Sequence, residues 1–455
     1  MAISKLFVAN RAEIAVRIIR AARELGIATV QAVSEADRES LPARMADEVA
    51  VIGPPHASRS YLNAAAIIGA AQRSGADAIH PGYGFLSENA DFAQAVEDAG
   101  LVFVGPRSET IRLMGDKAQA RSTAAASGIP TVPGTKQRIE SSAEAASRAD
   151  EIGFPLLIKA AAGGGGRGIR VAQDRHALPA LFDQAAAEAR TAFGDAGLYL
   201  ERLIPRARHI EVQVLGDGQR SIHLFERDCS IQRRRQKLWE EAPSINLPDA
   251  TRQSLCGAAV RLAEVVGYRG AGTVEFLCDE AGDAFYFIEM NTRIQVEHPT
   301  TEMVTGVDLV RAMIRIAAGE PLPLSQADVS LRGHAIECRL NAEDPARNFM
   351  PSPGEITRLN VPGGPGIRFD TALFQGYVVP PFYDSLLAKL IVWDETRDAA
   401  LVRMRRALAE LVIEGVATTA PLLAALARDP EVAAGRIHTA WLETWLAQHP
   451  ASEAP

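Results

Sequence analysis

The chain has 455 residues, of which 47% are hydrophobic and 23% charged, and a formal net charge of −8. That length is more than one hydrophobic core serves, so roughly two to four domains are expected in an ordinary globular composition. Net acidity speaks against a nucleic-acid surface, no stretch approaches the length of a membrane span, and the start MAISKLFVAN lacks a leader pattern, so a cytoplasmic protein with neither nucleic-acid nor membrane partner is expected.

In chain order, KLFVAN reads as a strand and AEIAVRIIRAARELG as a helix closed by a glycine. ATVQAVS, DAIHPGYG and LVFVGP repeat the strand-then-turn pattern. These elements predict a doubly wound α/β domain over residues 1–115. Such sheets gather functional groups at the carboxyl ends of their strands, which points to Asn10, Arg11 and residues 80–88. Residues 116–130 read as a connecting helical segment and 131–203 as a small domain centred on FPLLIKAAAGGGGRGIRVA. Residues 204–447 read as an α+β region and 448–455 as a tail. Cys229, Cys256, Cys278 and Cys338 show no CxxC spacing and are expected to be reduced core or near-site thiols, with no zinc.

The glycine run 163–166 is flanked by apolar strands, unlike a linker. Without Cβ atoms, its N–H groups can approach a phosphate closely, with Lys159 before the run and Arg167 after it. No GK[ST] follows, so this is not a Walker A loop.

Further on, GTVEFLCDEAGDAFYFIEM reads as a hairpin turning at Gly282, which sets Glu275 opposite Glu289. Facing carboxylates repel, and one lies beside a buried strand; a divalent cation resolves both problems. The alternative is a pair of rim acids or acids neutralised by arginines. IEMNTRIQVEHP then alternates polar and apolar residues as a half-buried strand does. Its polar face offers an amide for the metal (Asn291), a guanidinium fork for a carboxylate, bicarbonate or phosphate (Arg293) and a candidate base (Glu297). In SIQRRRQKLWEEAP, a charged pocket around phosphates suits Arg233, Arg234, Arg235 and Lys237 better than a nucleic-acid patch. His209 and Glu211 share one face of HIEVQV.

The stretches VANRAEIAVRIIRA, HPGYGFLSENADFA, GPRSETIRLMGDK, KAAAGGGGRG, RHIEVQVLGD, ERDCSIQRR, GYRGAGTVEFL, FIEMNTRIQVEHPTTEMVTGVDLV, IECRLNAEDP and PSPG, in this order, resemble the biotin carboxylase family of ATP-grasp enzymes over essentially the entire chain. The resemblance implies an α/β and α+β multidomain ATP-grasp fold with an N-terminal doubly wound (Rossmann-like) domain, a mobile glycine-rich lid and a C-terminal α+β domain. It implies carboxylation of carrier-bound biotin with ATP and bicarbonate through carboxyphosphate. Lys117, Lys159 and the lid glycines Gly164, Gly165 and Gly166 would contact ATP phosphates. Glu201, Arg202 and Leu203 would border the adenine, and His209 the ribose side. Glu275, Glu289 and Asn291 would hold Mg²⁺ or Mn²⁺. Lys237, Arg293, Gln295, the Val296 backbone and Glu297 would surround bicarbonate, with Glu297 as base. Tyr83 and Arg339 would lie at the biotin end. Use of the Val296 backbone implies that strand parity breaks after Asn291.

Departures from the family pattern are Ala12 in place of Gly, Arg202 in place of Lys, Arg235 in place of His, and Leu238 and Trp239 in place of a smaller pair. Arg235 is expected to bring a permanent cation near the nucleotide or bicarbonate. No Ala-Met-Lys-Met motif occurs. Biotin is therefore expected on a separate biotin carboxyl carrier protein, or on a domain outside this sequence, with the carboxyltransferase elsewhere. A homodimer is implied, with Arg20, Glu24 and Arg368 at its interface and Pro365 replacing an aromatic. The rival reading is another ATP-grasp carboxylate–amine ligase.

Overall fold

Strand β1 (Lys5–Val8) runs through the centre of a five-stranded parallel sheet with β2 (Ala28–Ser34), β3 (Glu48–Gly53), β4 (Ala78–His80) and β5 (Val102–Phe103). Its order is β3-β2-β1-β4-β5, the doubly wound arrangement the sequence predicts. A computed structural model describes residues 3–135, 137–160, 169–193 and 196–449. The glycine run 163–166, including Gly164, Gly165 and Gly166, and Arg167 lie outside the described residues. Strand β3 was not legible in the sequence, because Val49 and Val51 face solvent on this sheet edge instead of marking a core.

The helix Ala12–Glu24 follows β1 and buries Ile14, Ile18 and Ile19 in one apolar cluster with Leu309 and Met313 of the helix Leu309–Ala317. The N-terminal sheet and the helix Leu309–Ala317 thus share a core. Ala12 opens its helix at φ +57°. A residue with a Cβ in this left-handed backbone costs roughly 1–2 kcal/mol, which is in keeping with the Gly that the resemblance implies at this position.

Three antiparallel strands, β6 (Leu156–Ala160), β7 (Ile169–Ala172) and β8 (Leu198–Arg202), form a small sheet in the order β7-β6-β8. Its apolar side shares a core with the helices Ser142–Ile152 and Leu178–Phe193 through Ile158, Leu200, Ala149 and Phe182.

The largest sheet has eight antiparallel strands. It comprises β9 (Arg208–Asp217), β10 (Ser221–Arg233), β11 (Gln236–Ala242), β12 (Arg269–Cys278), β13 (Phe285–Asn291), β14 (His334–Asn341) and the strands Ile367–Thr371 and Leu386–Asp394. Its order is β13-β12-β9-β10-β11-β14, then Leu386–Asp394, then Ile367–Thr371. Successive strand residues point to opposite faces. Ile210, Val212, Val214, Val274 and Phe276 pack with Leu255, Ala259 and Leu262 of the helix Asp249–Val265. His209, Glu211, Gln213, Thr273 and Glu275 therefore point the other way. No helix among the described residues is long and apolar enough to cross a membrane.

Candidate active site

Register writes the site across four strands. Glu289 on β13 lies opposite Glu275 on β12, Glu275 opposite Glu211 on β9, and Glu211 opposite Arg227 on β10. The predicted facing of Glu275 and Glu289 is therefore present, with Glu211 as a third acid in the row.

Cations offset this concentration of charge. The Arg227 guanidinium is fully buried and donates from Nε to Glu211 Oε1 at 2.7 Å. Its remaining N–H groups reach Gln213 at 2.7 Å, Thr301 at 2.9 Å and Thr273 at 3.1 Å. Lys237 Nζ meets three carboxylates, Glu211 at 2.5 Å, Glu297 at 2.7 Å and Glu275 at 2.9 Å. An ammonium has three protons, and each finds an acid. Burial alone would lower the Lys237 pKa; Glu211, Glu275 and Glu297 outweigh it and hold the pKa well above the ordinary lysine value. Burial would likewise raise Glu297, but Lys237, Arg339 and Arg227 hold its carboxyl well below the carboxylate range. Glu275 is depressed in the same way, with burial outweighed by Lys237 and His209. Glu289 differs: burial first, then Glu275, raise its carboxyl, and its nearest cation is the exposed Lys117 at 3.8 Å. The open end of the row is where a further positive charge gains most.

Strand β13 stops at Asn291, the point where strand parity is expected to break. The chain bends, and Glu297 becomes the N-cap of the helix His298–Thr305. Glu88, from the predicted 80–88 segment, accepts from the Thr292 amide at 3.1 Å and from Arg293 Nε at 2.9 Å. The Arg293 fork also reaches Gln295 Oε1 at 2.5 Å and Asn291 Oδ1 at 3.2 Å. Asn291 and Gln295 in turn donate to Glu275 Oε1 at 2.9 and 3.1 Å. Glu297 meets Lys237 through Oε1 and accepts from Arg339 at 2.9 Å through Oε2. Arg339 Nε donates to Glu240 Oε1 at 2.5 Å, and the Tyr83 hydroxyl donates to Glu13.

On the remaining side, His209 Nε2 lies 3.0 Å from Glu275, while Nδ1 is 2.9 Å from Gln232. Lys159 and Arg121 converge on Glu201. The Leu203 amide donates to the Pro155 carbonyl and the Arg202 amide to that of Pro133, both at 2.8 Å, leaving the Arg202 side chain exposed. Arg235 lies at the hairpin end beyond the carboxylate row. With Arg234 it forms the two-residue β10–β11 turn, both at positive φ as a type I′ turn requires. Its side chain is exposed and, among the described residues, forms no ion pair with the site carboxylates. Leu238 and Trp239 are core residues. All four cysteines are free and buried, and Cys229 Sγ lies 3.9 Å from Glu297.

Arg227, Glu240 and Lys389 escaped the sequence reading. For Lys389 the available signal was a single charge inside the apolar run LLAKLIV, since such charges are seldom buried unpaired; Arg227 in ERD and Glu240 in EE carried no such signal.

Residues 2–111 match the family described as Biotin carboxylase, N-terminal domain, residues 116–325 the Carbamoyl-phosphate synthase L chain, ATP binding domain, and residues 337–444 the Biotin carboxylase C-terminal domain. The chain is 54% identical over 444 residues to Biotin carboxylase 1 of Bacillus subtilis (strain 168), covering 97% of this chain and 99% of that protein. It is 52% identical over 444 residues to the biotin carboxylase of Nostoc sp., again covering 97% and 99%. The crystal structure of the biotin carboxylase domain dimer of Hydrogenobacter thermophilus 2-oxoglutarate carboxylase, in complex with MgADP, ADP and bicarbonate, has a TM-score of 0.90 at 50% identity and covers 98% of each chain.

Proposed function

This chain belongs to the biotin carboxylase family, and from that membership we infer that it carboxylates biotin with ATP and bicarbonate through carboxyphosphate, giving carboxybiotin, ADP and phosphate. The observation that carries the assignment of roles is the convergence of Lys237 and Arg339 on Glu297, beside the Arg293 fork. A carboxylate–amine ligase needs the nucleotide residues but has no use for that constellation.

Lys117 and Lys159 bind the ATP phosphates, Glu201, Arg202 and Leu203 border the adenine, and His209 lies toward the ribose. Residues 131–203, with Gly164, Gly165 and Gly166, serve as the lid that keeps water from a short-lived acyl phosphate. Glu275, Glu289 and Asn291 supply hard oxygen donors that fit Mg²⁺ or Mn²⁺, with the two carboxylates directly opposite each other on β12 and β13. The bound ion supplies neutralisation of the charge on the transferring phosphoryl group.

Lys237, Arg293, Gln295 and the Val296 backbone hold bicarbonate, and Glu297 takes its proton. In the resting site Glu297 is a weak base, because Lys237 and Arg339 stabilise its charge. An entering anion shares those donors, and the proton affinity of Glu297 rises when its deprotonated form is needed. The bicarbonate oxygen then attacks the γ-phosphorus in line. Carboxyphosphate releases CO₂ and phosphate, phosphate takes the ureido proton of biotin, and Arg339, with Tyr83 beside it, stabilises the enolate-like anion.

We assign this chemistry to the first half-reaction of a biotin-dependent carboxylase, with a biotin carboxyl carrier protein and a carboxyltransferase as partners. A homodimer uses Arg20 and Glu24 on an exposed helix face, with Arg368 oriented by Glu302 at 2.6 Å and Asp370 at 2.7 Å. Bicarbonate-dependent ATP cleavage should rise when free biotin is added. No stimulation across a wide biotin range would favour the ligase reading instead.

A further inference from the structure

We propose that Lys389 is a positioning residue for this reaction, an internal strut that fixes the Val296–Glu297 turn against the N-terminal domain; the proposal rests on the site reading above.

Lys389 stands on the strand Leu386–Asp394, directly opposite Arg339 on β14. Its side chain has no exposed surface. A charge at that depth persists only when its protons find acceptors. Lys389 Nζ donates to the Val296 carbonyl at 2.9 Å and lies 3.1 Å from Glu13 Oε1. Asp370 is a more distant acid at 4.0 Å, and the ammonium stands 5.9 Å from the centre of the Tyr83 ring. Glu13 also accepts from the Tyr83 hydroxyl.

These partners come from segments remote in sequence. Glu13 is in the first turn of the helix Ala12–Glu24, and Val296 is in the turn before the helix His298–Thr305. One cation thus joins the bicarbonate turn to the helix that anchors Tyr83 at the biotin end. Lys389 touches no reacting atom; it acts through Val296. Holding the Val296 carbonyl fixes the peptide plane that carries the Glu297 amide nitrogen, and with it the start of the base's own backbone. A pair formed only for packing would need Glu13 and Lys389 to satisfy each other. The bond to a main-chain carbonyl of the site turn is what goes further.

Lys389→Met alone would strand the Glu13 carboxylate. Glu13→Gln/Lys389→Met removes both charges while keeping their shape, a change that proteins commonly tolerate. Bicarbonate-dependent ATP cleavage by the whole protein is measured below the melting midpoint of each variant, with separate KM values for bicarbonate and ATP. In the double variant the bicarbonate KM is expected to rise by about tenfold or more, with the ATP KM within about twofold of wild type. Glu13→Gln, which keeps the donor to Val296, should leave both within about twofold. An unchanged bicarbonate KM in the double variant, parallel shifts in both constants, or a full effect in Glu13→Gln alone would overturn the strut. Wild-type protein without bicarbonate-dependent cleavage would overturn the site reading itself, a distinct failure.

Discussion

Glu297→Gln is expected to lower turnover by about 10²–10⁴-fold, the usual contribution of a positioned general base, while ATP binding changes little. The amide keeps the size of the carboxyl, and its single oxygen can still accept from either Lys237 or Arg339, but it cannot take a proton. Lys237 retains two carboxylate partners, Glu211 and Glu275, so the fold should survive. Lys159 and Glu201, which we propose contact the nucleotide, lie in the small sheet, and the Glu297 carboxylate hydrogen-bonds to neither of them among the described residues. Turnover by rapid quench and nucleotide affinity by calorimetry separate the two effects. Loss of ATP affinity in this variant would contradict the assignment of Glu297 as base.

Lys237→Met should cost more in stability. Removal of the ammonium leaves Glu211, Glu275 and Glu297 facing a common point, with Arg227, His209 and Arg339 each covering only part of the charge. Breaking a buried ion pair from one side typically costs about 3–5 kcal/mol. A loss of that size should appear in urea unfolding, together with loss of bicarbonate-dependent turnover. Because the pKa of Lys237 is raised, its stabilising contribution is complete below the unfolded lysine value and disappears only as pH rises through the still higher folded value. The difference between wild type and Lys237→Met should therefore be flat across neutral pH. A variant as stable as wild type would mean that Lys237 is not the hub of the row.

The carboxylate row shows how far strand arithmetic reaches. Gly282 as turn centre gave Glu275 opposite Glu289, and that pairing is present. Yet the turn itself pairs Cys278 with Phe285, half a residue off, and a bulge between Glu275 and Phe276 restores the expected register. The expected break in parity after Asn291 is present for a related reason. The period-two pattern of IEMNTRIQVEHP continues through a bend where each polar side chain is fixed by a hydrogen bond rather than by the pleat. Arg227 and Lys389 were illegible as site residues because their roles depend on neighbours brought by other strands. Arg235 was legible only as a motif position, and the positive-φ turn it forms with Arg234 was not read from the sequence.

Transfer of heavy oxygen from labelled bicarbonate into inorganic phosphate tests the central claim most directly. Attack of a bicarbonate oxygen on the γ-phosphorus predicts that, in the presence of biotin, each turnover leaves one labelled oxygen in phosphate, and that carboxybiotin forms in equal amount. Phosphate whose new oxygen comes from water, with ATP cleaved and no carboxybiotin formed, would contradict it.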